Sequence, residues 1–155
     1  MKTVKFFFVS LICLMVFSAT AQDYVDLGLP SGTLWKDRNE PYFYTYAEAV
    51  SAFGSRLPTR LQLEELVVKC DWEYMEDGYR VIGPNGNSIF LPADGYRDSE
   101  GKIMSQGFYA SSLYWSSTPS GSDSAWFLYI SPANGVHNID DSMTRDFGFY
   151  VRLVQ

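Results

Sequence analysis

Twice in its first half the chain spells a helix start followed by an apolar stripe, and after Trp72 it never does so again. In "TYAEAVSAFG", Thr45 stands three residues before Glu48, the reciprocal pairing of a capping box. Tyr46, Ala49, Val50 and Phe53 fall on one helical face, and Gly54 supplies the stop. In "RLPTRLQLEELVVKC", Thr59 and Gln62 repeat the box after Pro58. Leu63, Leu66, Val67 and Cys70 follow at i, i+3, i+4 and i+7, with Glu64 and Glu65 directed away. Beyond Trp72 the period shortens to that of strands. "GYRVIGPNGNSIFLP" reads as two strands joined through Pro84-Asn85-Gly86-Asn87, and "LYWSS", "SAWFLYIS", "GVHNI" and "FGFYVRLV" are further strand candidates. Ahead of the helices, "YVDLGL" and "GTLW" flank a Pro30-Ser31-Gly32 turn. Early helices and late strands predict an α+β domain with a mostly antiparallel sheet rather than an alternating α/β one.

The N-terminus bounds where such a domain works. "MKTVKFFFVSLICLMVFSATAQ" has two lysines, an apolar run from Phe6 to Phe17 and small residues at Ala19-Thr20-Ala21. This three-part pattern predicts a secretory signal over residues 1–21 and a single domain over 22–155. The apolar run is shorter than a bilayer requires, so no membrane insertion is expected once the signal is removed. Loss of Lys2 and Lys5 moves the formal charge from −6 to about −8. That sign opposes phosphate backbones and anionic lipid, and excludes nucleic acid as a partner. An exported destination, whether periplasm, cell surface or medium, normally favours disulfides, yet only Cys70 follows the signal, so hydrophobic burial must suffice. Cys70 sits on an apolar stripe and reads as a buried small hydrophobe.

The candidates for chemistry thin out under the same scrutiny. His137 is the only histidine, no Gly-x-Ser-x-Gly elbow surrounds a serine, and a metal site would want a second imidazole at suitable spacing. In "NGVHNIDD" the histidine reads as solvent-facing. Asp140 and Asp141 offer oxygen ligands for calcium, but their surroundings do not form an EF-hand loop. No cofactor is expected.

What remains is the aromatic C-terminal half. Alternation in "SAWFLYIS" sets Trp126, Leu128 and Ile130 on one face and Ala125, Phe127 and Tyr129 on the other. The first set is the more uniformly apolar and is expected inward, leaving Phe127 and Tyr129 in solvent beside Ser, Gly and Asn, a composition suited to recognition. Packing of sheet layers against both faces is the competing expectation. By the same logic "HNIDDSMTRDFGF" carries His137, Asp140, Asp141, Phe147 and Phe149 towards the ligand-facing side.

Five blocks in order, "YVDLGLPSGTLW", "RLPTRLQLEEL", "GPNGNSIFLPADGYR", "YWSSTPSGSDSAWFLYI" and "VRLV", resemble the bacterial major paralogous domain (FISUMP) family, secreted modules related to formylglycine-generating enzymes. The resemblance covers the chain from about Tyr24 to its end. It implies a C-type-lectin-like fold with adjacent N- and C-terminal strands, displayed on the cell surface and, in some relatives, diversified in its C-terminal codons by retroelements. Relatives place a cysteine shortly after the Leu-Trp pair and bridge it to the one closing the second helix. Here Arg38 stands in that region, so the bridge does not carry over. Formylglycine chemistry needs a cysteine pair, which this chain lacks after residue 21. The expectation is therefore a non-catalytic module that binds a protein or glycan through Phe127, Tyr129, His137, Asp140, Asp141, Phe147 and Phe149. A structural subunit of a surface assembly and a carbohydrate-active enzyme are the alternatives, and oligomeric state is left open.

Overall fold

Both capping boxes form. Thr45 Oγ1 accepts from the Glu48 N–H while Glu48 returns to the Thr45 N–H, and Thr59 and Gln62 do the same. These start α1, Tyr46–Phe53, and α2, Arg60–Lys69, which are joined by a 3₁₀ turn at Gly54–Arg56. The structure, a computed structural model, describes residues 23–104 and 111–155, so the signal expected over 1–21 lies outside the described residues. No helix among the described residues is long and apolar enough to cross a membrane.

The strands are β1 (Tyr24–Asp26), β2 (Leu34–Lys36), β3 (Asp71–Met75), β4 (Gly78–Ile82), β5 (Ser88–Pro92), β6 (Ser112–Ser120), β7 (Ser124–Ser131) and β8 (Val136–Asp140). They form three antiparallel sheets ordered β1-β2, β3-β4-β5 and β6-β7-β8. The fold is α+β, as the two sequence periods require. The expected hairpin around Asn85-Gly86 is β4-β5, and its asparagines have a specific task. The side-chain amides of Asn85 and Asn87 both donate to the Asp26 carbonyl, at 2.9 and 2.8 Å. This brings the turn against β1 so closely that a Cβ on Gly83 would lie 2.0 Å from the Leu27 carbonyl oxygen. β3 was not foreseen, because "DWEYM" alternates charge with aromatics and leaves most of its side chains exposed.

The segment after Gly148 is not one regular strand but a run of bridges to three parts of the chain. Phe149 pairs with Tyr44, Tyr150 pairs in parallel with Tyr114 of β6, and Val154 pairs with Trp35 of β2. The N- and C-terminal strands are thus adjacent, with Leu34 and Gln155 exchanging two backbone hydrogen bonds of 3.0 Å.

Two apolar clusters lie on opposite faces of β6-β7-β8. On one face Tyr114, Leu128 and Ile130 meet Leu63 and Leu66 of α2, Val81, Ile89 and Trp35. On the other Leu113, Trp115, Ala125 and Phe127 meet Ala49 of α1, Leu57, Phe149, Val151 and Leu153. Cys70 is buried in the first cluster, and burial raises its thiol pKa to about 11, so it is protonated and inert at neutral pH. Val50, placed by its spacing on the buried side of α1, is instead exposed.

A single cation closes the gap between the sheets. Gly78 and Pro92 are a wide pair, since Ala93 N–H reaches across to the Asp77 carbonyl at 2.8 Å. The carbonyls of Phe90 and Pro92 therefore point away from β4. Arg152, only 2 % exposed, donates to Phe90 O at 2.6 Å, to Lys36 O at 3.0 Å and to Asn39 Oδ1 at 2.8 Å. The Tyr114 hydroxyl takes Pro92 O at 2.7 Å. Burial lowers the guanidinium pKa to about 10, against the pull of Tyr114 and Asp37, so the charge persists at neutral pH. Replacing it by leucine strands three acceptors at once. Arg152→Leu is expected to lower unfolding free energy by about 2–4 kcal/mol in urea titration with an unchanged m-value. Stability equal to wild type would mean that relief of the buried charge cancels the lost bonds.

Candidate functional site

The surface expected from β7 and the C-terminal loop is, in its aromatic part, interior. Phe127 is 1 % exposed and Phe149 0 %. Phe149 stacks on Trp115 with centroids 4.0 Å apart, and Phe127 meets Phe149 edge-on at 5.0 Å. The expectation that Phe127 faces solvent is corrected: β7 is the middle strand of a sheet covered on both sides, so alternation separates two cores rather than core from water. Leu128 and Ile130 are buried as expected, whereas Trp126 is only half-buried. The β6-β7 register breaks between Trp115 and Pro119, opposite Trp126, and its ring lies under the Arg60 guanidinium at 4.0 Å.

The remaining expected residues scatter. Tyr129 is half-buried with its hydroxyl 3.1 Å from Ser111 Oγ, and Phe147 lies at the edge of the core beside Tyr96 and Phe149. Asp141 accepts from the Ser120 hydroxyl at 2.5 Å and Asp140 from the Ser142 N–H at 2.7 Å, so both fasten loops. Burial opposes ionisation of Asp140, but bonds from Ser142 and the Asp141 backbone outweigh it and hold the carboxyl below its ordinary pKa. Among the described residues no group of three or more His, Cys, Asp or Glu side chains is arranged to hold a metal ion.

His137 is not solvent-facing as expected. It pairs with Ile130 in the β7-β8 register while Asp140 pairs with Phe127, which puts the two on opposite faces of the sheet. The imidazole stacks on the Trp72 indole at 4.3 Å and 9°, with the Tyr79 ring edge-on at 5.4 Å. Its Nδ1 is buried without a hydrogen-bond partner among the described residues, and burial lowers its pKa.

A concave aromatic surface lies elsewhere, at the entry to α1. Tyr42, Phe43 and Tyr44 with Ala47, Glu48, Ser51 and Ala52 line an open groove of about 670 Å³. The helix contributes the side opposite its buried Ala49, and its small residues leave the space that the aromatic triplet borders. Tyr44 is fixed from behind. Its backbone exchanges two 2.9 Å hydrogen bonds with Phe149, its carbonyl accepts from the Trp115 indole at 2.8 Å, and its ring meets Phe53 edge-on at 5.1 Å. Phe43 rests on Tyr150 at 4.5 Å, while Tyr42 is 69 % exposed and stands nearly perpendicular to Tyr44. Burial, then Glu40 and Glu48, raise the Tyr44 pKa. Each of those carboxylates is already matched, Glu40 by Lys36 at 2.6 Å and Glu48 by Arg97 at 3.6 Å. Hydrogen bonds from Thr45 lower the Glu48 pKa. The groove therefore offers aromatic faces, little net charge and few polar groups. Its sequence signal was the run Tyr42-Phe43-Tyr44 directly before a helix whose outer face is alanine and serine.

Comparison with protein-family models, with curated proteins and with solved structures returns no match to this chain.

The buried imidazole has a measurable consequence. Because the folded His137 pKa lies below the ordinary value of 6.5, the unfolded chain binds the proton more readily. Stability from this group is complete above that value and is lost as pH falls through it towards the folded pKa. Denaturation midpoints for wild type should decline below about pH 6.5 relative to His137→Phe, which retains a stacking ring without a titrating nitrogen. Parallel profiles for the two proteins would disprove the assignment.

Proposed function

We propose that this chain is an exported, non-catalytic ligand-binding module of C-type-lectin-like fold, acting on a protein or glycan at the groove formed by Tyr42, Phe43, Tyr44 and the outer side of α1. The observation that carries it is the contrast within that aromatic triplet: Tyr44 is tied to Phe149 and Trp115, while Tyr42 stands free. A rigid floor with one adaptable aromatic wall presents contact area at small entropic cost. The resemblance to the FISUMP family and the signal pattern over residues 1–21 support export and the lectin-like topology, and adjacent terminal strands agree with them. Recognition by Phe127 and Phe149 is withdrawn from the reading, because both are core.

Shape and stacking set the affinity in this reading, with Glu48 and Ser51 supplying polar contacts at the groove. Tyr42→Ala is expected to leave the melting temperature within about 2 °C of wild type, as exposed substitutions usually do, and to reduce capture on a glycan and surface-protein array at least tenfold. Undiminished capture by this variant would place the ligand elsewhere.

A further inference from the structure

The two outer edges of the β3-β4-β5 sheet are treated very differently. At β5, the outward carbonyls of Phe90 and Pro92 are sealed by Arg152 and Tyr114. At β3, the same alternation decides which groups point outward. Gly78 belongs to a wide pair with Pro92, so its N–H and C=O are directed at Met75. The bonded pairs of β3 are therefore Asp71, Glu73 and Met75, and the N–H and C=O of Trp72 and Tyr74 face away from the sheet. Among the described residues no hydrogen bond reaches these four groups.

Nothing in β3 blunts this edge sterically. Its register with β4 runs unbroken over all five residues, without proline or bulge. Tyr74 and Met75 are 48 % and 40 % exposed, so the edge also presents apolar contact on both of its faces. Its only guard is charge. Asp71 and Glu73 lie on the outer face with Met75, Glu76 and Asp77 form the adjoining turn, and Arg80, 3.4 Å from Glu73, is the one ion-pair partner among the described residues.

We infer that the outer edge of β3 is a strand-addition site for an extended basic segment of another protein. A segment paired to Trp72 and Tyr74 gains up to four backbone hydrogen bonds in the manner of β-augmentation. Its lysines or arginines lie beside Asp71 and Glu73, and its apolar residues lie beside Trp72 and Tyr74. A second copy of this chain is disfavoured, because its β3 would bring the same acidic side chains alongside Asp71 and Glu73. This surface is separate from the Tyr42–Tyr44 groove, and the inference does not depend on it.

The test uses the purified protein and a fluorescent seven-residue peptide alternating lysine and valine, read by anisotropy. The expected result is saturable binding that weakens at least tenfold when alternate peptide nitrogens are methylated, and equally when glutamate replaces lysine. Tyr74→Pro removes an outward N–H without breaking a β3-β4 bond and should abolish binding, while Tyr74→Ala stays within about threefold of wild type. Equal affinity for the methylated peptide would reduce the effect to charge alone and overturn the inference, whether or not Tyr74→Pro folds. Absence of binding would overturn it too, as would a dimer in sedimentation that Tyr74→Pro dissolves, because the edge would then be taken by a second copy.

Discussion

The last eight residues hold this fold together, and Arg152 is the group on which they depend. Gly148 to Gln155 touch the entry to α1, β2, β6 and, through Arg152, the edge of β5. None of these contacts is local: Tyr44 meets Phe149 and Leu34 meets Gln155 only after nearly the whole chain has been placed. Such topologies pay loop-closure entropy before the contacts form, so the helices and the β4-β5 hairpin are the natural early structures and the C-terminal closure the late one. A buried cation without a carboxylate is costly in isolation. It is tolerated because its donors meet acceptors that no strand could reach, two of them backbone carbonyls that would otherwise be orphaned in the interior.

How much of this was legible in the sequence follows from the range of each interaction. The capping boxes join residues three apart, and both helices were readable to within a residue of their ends. The β4-β5 hairpin was readable because its turn residues are local. Both faces of β7 are covered, whereas alternation along it implies one core face and one solvent face. The signal against that lay in the same letters: Ala125 to Ile130 is a continuous apolar run, the pattern of a strand buried on both faces. Arg152 gave no signal at all. Its role requires that β5, the segment after β2 and the C-terminus converge, and a single arginine in "VRLV" records none of that.

The same logic separates the binding surface expected in the C-terminal half from the groove at the entry to α1. Aromatic density in the C-terminal half does not mean exposure there: Trp115, Phe127 and Phe149 fill the space between α1 and β6-β7-β8. Tyr42, which does stand in solvent, is one residue removed from Phe43 and two from Tyr44, both anchored. Core and groove are thus continuous. Phe149 stacks on Trp115 on one side and fixes the Tyr44 backbone on the other, so the interior sets the position of the groove's floor.

Charge at the β3 edge serves two ends with one set of residues. Without a partner strand, acidic side chains along an unpaired edge discourage self-association, which an unbroken five-residue strand with exposed Tyr74 and Met75 would otherwise invite. The repulsion between like edges and the attraction for a basic strand have the same origin and the same range, about 8 Å at physiological ionic strength. Both therefore weaken together as salt rises, while the backbone ladder itself is much less sensitive. A partner held at this edge would accordingly be selected by charge and retained by hydrogen bonds, and discrimination would fade in high salt before pairing does.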